Sequence, residues 1–306
     1  MELMTKIDIP VSEWTIPAGS NILLVGSCFA DNIGIKMQKG GFNAMVNPFC
    51  TLYNPASIAS ILSHTLDSTP YTPESPELLS DSSGLWHSWM HHSRFSSDTR
   101  DSLLESINTT QSSVLDFLRS ANVLVITLGT AIIYRLKSTG MLVANCHKQH
   151  DSLFIRERLA VHDITAQWHS LIQRLHTLNP SLRIIFTVSP IRHKRDGYHT
   201  NQISKGILLQ SVDELLCSEM ANGSSSEMVH CTSANGTCTY FPSYEIMLDE
   251  LRDYRFYADD MIHPSEKAVE YIWQRFQDTY FDNKTKDAVA KATKSWLRTQ
   301  HRSIIK

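Results

Sequence analysis

Residues 21–30 read NILLVGSCFA, and this stretch opens with an unbroken apolar run from Ile22 to Val25. Such a run is typical of a strand buried inside a parallel sheet. Gly26 then permits a sharp turn, because glycine adopts backbone angles that other residues avoid. We expect a helix over residues 29–38. The stretch therefore predicts a strand, turn and helix of an α/β sheet.

Ser27 lies on the predicted turn, where open α/β sheets bind their ligands. Free N–H groups at the start of a helix stabilise negative charge there. Ser27 is thus a candidate nucleophile, although it could also serve only as the helix cap. The G-x-S-x-G elbow is absent, because residues 25 and 29 are Val and Phe. Cys28 is a second candidate, and since adjacent residues point in different directions, only one of the two faces the cleft.

A nucleophilic hydroxyl needs a base, and the base needs a group that orients it. Residues 257–264 read YADDMIHP, in which Asp260 and His263 are three positions apart. This spacing lets both side chains face the same way within one turn. The Asp260 carboxylate would hold the imidazole tautomer while the other ring nitrogen meets Ser27. The alternative is an ordinary surface turn before a helix.

The chain resembles the bacterial GSCFA family, whose name is the sequence of residues 26–30. The similarity covers most of the chain, and its further stretches are NPF at 47–49, YNP at 53–55, TLGTA at 127–131, NCHK at 145–148, TVSPIRH at 187–193 and YRFY at 254–257. That family resembles the SGNH (GDSL-like) hydrolase superfamily, which pairs an N-terminal serine with a C-terminal D-x-x-H. The resemblance implies an ester hydrolase or acyltransferase whose catalytic residues are Ser27, Asp260 and His263.

The same resemblance implies an oxyanion hole. In SGNH proteins the loop after the second strand donates a backbone N–H, usually from glycine, and Cys50 stands at that position here. We expect the oxyanion to be held by the N–H groups of Ser27 and Cys50 and by the side chain of Asn47. These hydrolases often carry G-x-N-D where residues 129–131 read GTA, so the asparagine is missing. His147 is a candidate replacement donor; the alternative is an ordinary loop histidine.

Polar residues follow two more apolar runs, at residues 123–128 and 182–188. Because the carboxyl ends of parallel strands meet at one edge, we expect these polar residues to bind substrate. They are Gly129 and Thr130 after the first run, and Arg192 and His193 after the second. A predicted hairpin over 132–136 and 141–144 brings His147 to the same edge. An arginine at this edge can bind a carboxylate or phosphate; the alternative is a solvated basic loop.

Residues 86–95, WHSWMHHSRF, combine tryptophans and histidines. His87 and His91 are four positions apart, which suits two metal ligands on one helix face. No H-E-x-x-H motif accompanies them and no third ligand is evident. We therefore predict no metal and no cofactor, and assign this stretch to aromatic packing or substrate lining. A metal-dependent hydrolase remains an alternative.

The repeated order of buried strand, polar loop and amphipathic helix predicts a three-layer α/β/α sandwich with a mainly parallel central sheet, as in SGNH hydrolases and flavodoxin-like folds. The predicted adjacent strands are 22–26, 43–46, 123–128 and 182–188, with a short one at 239–241; the predicted helices include 57–65, 102–118, 162–178 and 201–220. We predict a single domain over 1–306 with a C-terminal helical extension over 283–306, and irregular loops at 69–83 and 221–237.

The composition of the 306 residues is 42% hydrophobic and 19% charged, which is typical of a globular protein. A net charge of −3 offers no basic surface, so no nucleic-acid partner is predicted. No apolar run approaches the roughly 20 residues of a membrane-spanning helix. Residues 1–8 lack the apolar core of a signal peptide, which predicts a cytoplasmic location without membrane association. The six cysteines form no C-x-x-C, and we expect free thiols.

These observations predict a serine-dependent esterase of the SGNH type that acts on a small acyl ester, such as an acetyl ester, of a small molecule or carbohydrate. Two other classes stay open. The same triad would serve an acyltransferase, and the missing asparagine favours a non-catalytic ligand-binding protein on the same fold. The oligomeric state is not predicted.

Overall fold

The structure is a computed structural model that describes residues 4–217 and 236–304. Its strands are β1 (Asn21–Gly26), β2 (Asn43–Val46), β3 (Leu78–Ser80), β4 (Trp86–Ser88), β5 (Val123–Leu128), β6 (Ile132–Leu136), β7 (Leu142–Val143), β8 (Phe154–Arg158), β9 (Arg183–Val188) and β10 (Cys238–Tyr240). Its helices are α1 (Cys28–Lys39), α2 (Pro55–Asp67), α3 (Arg100–Ser120), α4 (Val161–Leu178), α5 (Tyr198–Cys217), α6 (Ser243–Glu245), α7 (Glu266–Tyr280) and α8 (Asn283–Ile304). The predicted loop at 221–237 lies outside the described residues except for its last two.

The centre of the fold is a five-stranded parallel sheet in the order β10-β9-β5-β1-β2. The four predicted strands and the short fifth form this sheet, so the predicted fold class is confirmed. In register, Leu24 lies opposite Val46 on one side and Val125 on the other. The carboxyl ends of all five strands therefore meet at one edge.

Alternate residues of the strands supply two separate cores, one on each face of the sheet. Leu23 and Val25 pack into the core under α2, α3, α4 and α5, whereas Ile22 and Leu24 pack into the core under α1 and α7. Each buried aliphatic side chain contributes about 1.5–3 kcal/mol relative to exposure. The two cores make the sheet the middle layer of an α/β/α sandwich.

Two small antiparallel sheets lie outside the central one. The predicted hairpin is present as β6 and β7, and β8 adds a third strand in the order β7-β6-β8. Sequence reasoning missed β8, because residues 155–158 are exposed and show no apolar alternation. The stretch 69–83, predicted to be irregular, contains β3, which pairs with β4.

Gly26 ends β1 with φ +141°, and a Cβ there would lie 2.2 Å from the carbonyl oxygen of Thr127 in β5. No side chain fits in that space. We expect Gly26→Ala to lower the free energy of unfolding by roughly 3 kcal/mol or more, measured by urea denaturation. The control is Gly19, which has φ +80° but open space around its Cα, and where alanine should cost about 1 kcal/mol. Equal losses at both positions would contradict the role of the close β1–β5 approach.

Two predictions about the whole chain can be compared with the described residues. Among these residues no helix is long and apolar enough to cross a membrane. Cys28, Cys50 and Cys146 are free thiols as predicted, but Cys217 is disulfide-bonded, so the prediction of six free thiols is wrong there. The pairing of cysteines cannot be deduced from their spacing in the sequence. Disulfides are rare in a reducing cytoplasm, so this bond does not favour the predicted location.

Candidate active site

Ser27 caps helix α1. Its Oγ accepts the N–H of Phe29 at 3.3 Å, and its own N–H donates to the carbonyl oxygen of Thr127 at 3.0 Å. The side chain is buried, with 1% exposure for the residue. The structure thus gives Ser27 the capping role that the sequence left as the alternative.

The side chain that reaches His263 is that of Cys28. Its Sγ lies 3.7 Å from Nε2 of His263, and Nδ1 of the same ring lies 2.5 Å from Oδ2 of Asp260. Cys28 begins helix α1 and is half-buried. Thiol, imidazole and carboxylate follow one another as nucleophile, base and orienting group do in a catalytic triad. The pairing of Asp260 with His263 was predicted, whereas the expected approach of Ser27 to the ring is replaced by that of Cys28.

The loop that carries Asp260 is closed by its own backbone. Oδ1 of Asp260 accepts the N–H groups of Ile262 at 2.9 Å and His263 at 3.0 Å. The pKa of Asp260 is held well below its usual range, first by the backbone N–H of His263 and then by its ring. Asp260 is therefore a carboxylate that fixes the orientation of the imidazole.

Arg192, predicted to bind substrate, instead supports this loop. Its guanidinium donates to the carbonyl oxygen of Met261 and lies 4.5 Å from the ring centre of Tyr257 and 5.6 Å from that of Tyr198. Met261 has φ +57°, a left-handed conformation that costs energy outside glycine. The contact from Arg192 stabilises the strained turn between Asp260 and His263.

All three predicted oxyanion donors are used inside the fold. The N–H of Ser27 donates to Thr127, and that of Cys50 donates to the carbonyl oxygen of Asn47 at 2.7 Å. The side-chain amide of Asn47 donates to Asp31 at 2.9 Å and to the carbonyl oxygen of Ser27 at 3.5 Å. These groups therefore stabilise the turn around Ser27 and Cys28 and do not donate to a substrate. Cys50 has φ +62°, a glycine-like conformation at the position where the resemblance implied glycine.

The thiol of Cys28 is protonated in this environment. Burial raises its pKa most, followed by the carboxylate of Asp31 one helical turn away. Its own backbone N–H and the ammonium of Lys205 lower the pKa, and Asp260 raises it. Because the net shift is upward, little thiolate is present at neutral pH, and attack by the sulfur requires a base.

Lys205 of helix α5, which sequence reasoning missed, is a buried amine with 1% exposure. Its Nζ donates to the carbonyl oxygens of Gly129 and Ser189, each at 2.7 Å. Those residues follow β5 and β9, so the lysine joins the carboxyl ends of two strands. Burial lowers its pKa to about 7. Nothing in the sequence distinguishes a helical lysine that is buried in the fold from one that is exposed.

His193 and Gly129 lie together at the edge of the sheet, as predicted. The ring of His193 packs edge-on against Tyr53, with 5.5 Å between centroids. A Cβ on Gly129 would lie 3.1 Å from Nε2 of His193. Thr130, by contrast, is occupied elsewhere, because its hydroxyl bonds Ser204 at 3.0 Å.

His147 also has partners away from the triad. Its Nε2 lies 2.7 Å from the carbonyl oxygen of Ser88, and its ring centre is 4.5 Å from that of His87. His87 lies in strand β4 and bonds Asp81 at 3.0 Å. The alternative that places His87 and His91 as metal ligands on one helix face is therefore wrong, because His87 lies in a strand. Within residues 4–217 and 236–304, no three His, Cys, Asp or Glu side chains are grouped as metal ligands would be.

Comparison with known proteins gives a family match and similarities to several solved structures. A sequence model of the GSCFA family matches residues 21–276. Among curated proteins no match was found. A structure from Streptococcus pneumonia, provisionally designated a platelet activating factor, is 9% identical over 85% of this chain and 84% of its own, with a TM-score of 0.39. A carbohydrate esterase family 3 structure from Talaromyces cellulolyticus is 8% identical over 84% of this chain and 94% of its own, with a TM-score of 0.38.

Proposed function

The chain belongs to the GSCFA family, and from this premise we propose that it is an ester hydrolase in which the thiol of Cys28 attacks the ester carbonyl. The proposal is carried by the 3.7 Å approach of Cys28 Sγ to Nε2 of His263, whose Nδ1 lies 2.5 Å from Asp260. The reaction is the one predicted from the sequence, with the nucleophile moved from Ser27 to its neighbour.

In the first half of the reaction, Nε2 of His263 accepts the thiol proton as the sulfur bonds to the carbonyl carbon. The tetrahedral intermediate collapses, and the bond between that carbon and the alcohol oxygen breaks. His263 gives the proton to the departing alcohol. The acyl group is left as a thioester on Cys28.

In the second half, His263 removes a proton from a water molecule that attacks the thioester. Collapse of the second intermediate breaks the carbon–sulfur bond and releases the acid, and the thiolate recovers its proton from His263. Asp260 keeps the ring oriented and stabilises its protonated form in both halves. If an acceptor other than water attacks the thioester, the same steps describe the acyltransferase alternative.

Exposed aromatic and apolar side chains flank the site and would contact the alcohol part of a substrate. They include Tyr53, Tyr198 and Met261, which are 42%, 54% and 47% exposed. Aromatic side chains pack well against ring-shaped ligands, which agrees with the predicted small-molecule or carbohydrate ester. The acyl group, the partners and the cellular location remain predictions.

Hydrolysis of p-nitrophenyl acetate, before and after treatment with iodoacetamide, tests the proposal. We expect turnover that alkylation abolishes and that excess substrate protects, because the reagent and the ester compete for one thiol. A chelator should have no effect, whereas loss of activity with a chelator would support the metal-dependent alternative. If neither aryl esters nor acetylated sugars are hydrolysed, the non-catalytic ligand-binding alternative is favoured.

A further inference from the structure

We propose that His193 is a further catalytic residue, whose Nε2–H donates a hydrogen bond to the oxyanion formed when Cys28 attacks the substrate. The inference rests on the proposed function and adds a residue to it. From the sequence, His193 was expected only to line the substrate site.

The position of the ring depends on Gly129. A Cβ at Gly129 would lie 2.8 Å from the carbonyl oxygen of Tyr53 and 3.1 Å from Nε2 of His193. Because glycine leaves that space open, the imidazole of His193 reaches across from the loop after β9 to the end of β5. Tyr53 packs against the other side of the ring at 5.5 Å.

The ring lies at the end of β5, the strand next to β1. Gly26 pairs with Thr127 where these two strands end, and Cys28 begins the helix that follows β1. The segment that carries Tyr53 bonds to both strand ends, because the N–H of Leu52 donates to the carbonyl oxygen of Gly26 at 2.9 Å and the N–H of Gly129 donates to that of Tyr53 at 2.8 Å. The contacts of His193 with Gly129 and Tyr53 therefore place its ring at the edge of the sheet from which Cys28 acts.

Neither ring nitrogen of His193 has a hydrogen-bond partner among the residues that the structure describes. Its backbone is nevertheless fixed, because its N–H donates to Oδ1 of Asn201 at 3.0 Å. Three histidines in and around strand β4 differ, since His87, His91 and His147 each bond a protein group through the ring. A held imidazole with unused nitrogens next to a nucleophile is suited to bind a substrate oxygen.

His193 is also uncharged in the working range. Its pKa is lowered to about 4, mainly by burial and to a smaller extent by electrostatic interaction with Lys205 and His263. A neutral imidazole with its proton on Nε2 is a hydrogen-bond donor throughout neutral pH. The expected donors on Ser27, Cys50 and Asn47 are occupied. The oxyanion would thus be held by the Cys28 N–H, at the start of α1, and by His193.

The test compares His193→Leu with His193→Gln, which keeps a side-chain N–H. We expect His193→Leu to lower kcat for p-nitrophenyl acetate by about 10²-fold with KM changed less than about threefold, as for loss of one oxyanion donor. His193→Gln should recover a large part of that loss. Alkylation of Cys28 by iodoacetamide forms no oxyanion, so its rate should be unchanged in both variants.

The outcomes separate this inference from the proposed function. Full activity in His193→Leu, with Cys28→Ala inactive, would overturn the inference and leave the nucleophile in place. A parallel loss of turnover and alkylation in His193→Leu would also overturn it, because the histidine would then act on the thiol. Failure of the wild type to hydrolyse any ester would instead remove the proposed function, and the inference with it.

Discussion

Cys28→Ala is expected to abolish ester hydrolysis, with kcat for p-nitrophenyl acetate lowered by about 10³-fold or more. The reason is the position of the sulfur, which lies 3.7 Å from Nε2 of His263. Asp260 orients that imidazole through its other nitrogen, Nδ1. Ser27→Ala should keep kcat within about tenfold of the wild type, because Ser27 Oγ serves as the helix cap. That variant should instead lose about 1 kcal/mol of stability through the missing cap.

Cys28→Ser is the matched control for this result. A serine hydroxyl is far less acidic than a thiol, so it is a poor nucleophile in a site built around a half-buried sulfur. We expect kcat between that of Cys28→Ala and the wild type, and complete resistance to iodoacetamide. Activity in Cys28→Ala together with inactivity in Ser27→Ala would return the role of nucleophile to the serine.

His263→Ala should also cost about 10³-fold or more in kcat. The Cys28 thiol is protonated at neutral pH, since burial and Asp31 raise its pKa, so attack without a base is slow. Cys28→Ala combined with His263→Ala should lose little beyond either single variant, because the groups act as a unit. Asp260→Asn should lose less than His263→Ala, since the ring keeps its place beside the thiol.

The pH dependence of the residual rate distinguishes removal of a base from general damage. In His263→Ala the rate should rise with pH as the raised pKa of Cys28 is approached, because thiolate then forms without help. Urea denaturation of the variant checks that the fold is kept. A residual rate that is flat with pH, or activity equal to the wild type, would contradict the role of His263 as base.

The central sheet could be predicted from the sequence because its strands are short, continuous apolar runs. Residues 123–128 are all buried, so both faces of this strand are apolar and neither has to be chosen as the buried one. The D-x-x-H spacing likewise predicted the pairing of Asp260 and His263. In both cases local spacing determines the structure, and no distant part of the chain is needed to interpret it.

The choice between Ser27 and Cys28 could not be made from local spacing. It depends on which of the two side chains caps helix α1 and which faces the cleft. The close approach of Gly26 to Thr127 fixes that geometry. One signal was nevertheless present. In the GDSL motif the serine is the third residue. The third residue of the GSCFA stretch at 26–30 is Cys28.

The partners of Asn47 and Lys205 depend on contacts between distant parts of the chain. Asn47 bonds the backbone of Gly26 and the side chain of Asp31, and Lys205 joins the ends of β5 and β9. A turn-forming asparagine and a helical lysine look the same in sequence whether they are exposed or buried. The oxyanion donors were therefore assigned from the family pattern, and the structure shows those groups bonded to one another.

The central claim is that the acyl group is carried by Cys28, and trapping the acyl-enzyme tests it most directly. The wild type is mixed with p-nitrophenyl acetate, quenched in acid during turnover, digested with pepsin and mapped by mass spectrometry. The account predicts one acetyl group on Cys28, removed by neutral hydroxylamine as a thioester is. An acetyl group on Ser27, or turnover with no acyl-enzyme at either residue, would contradict it.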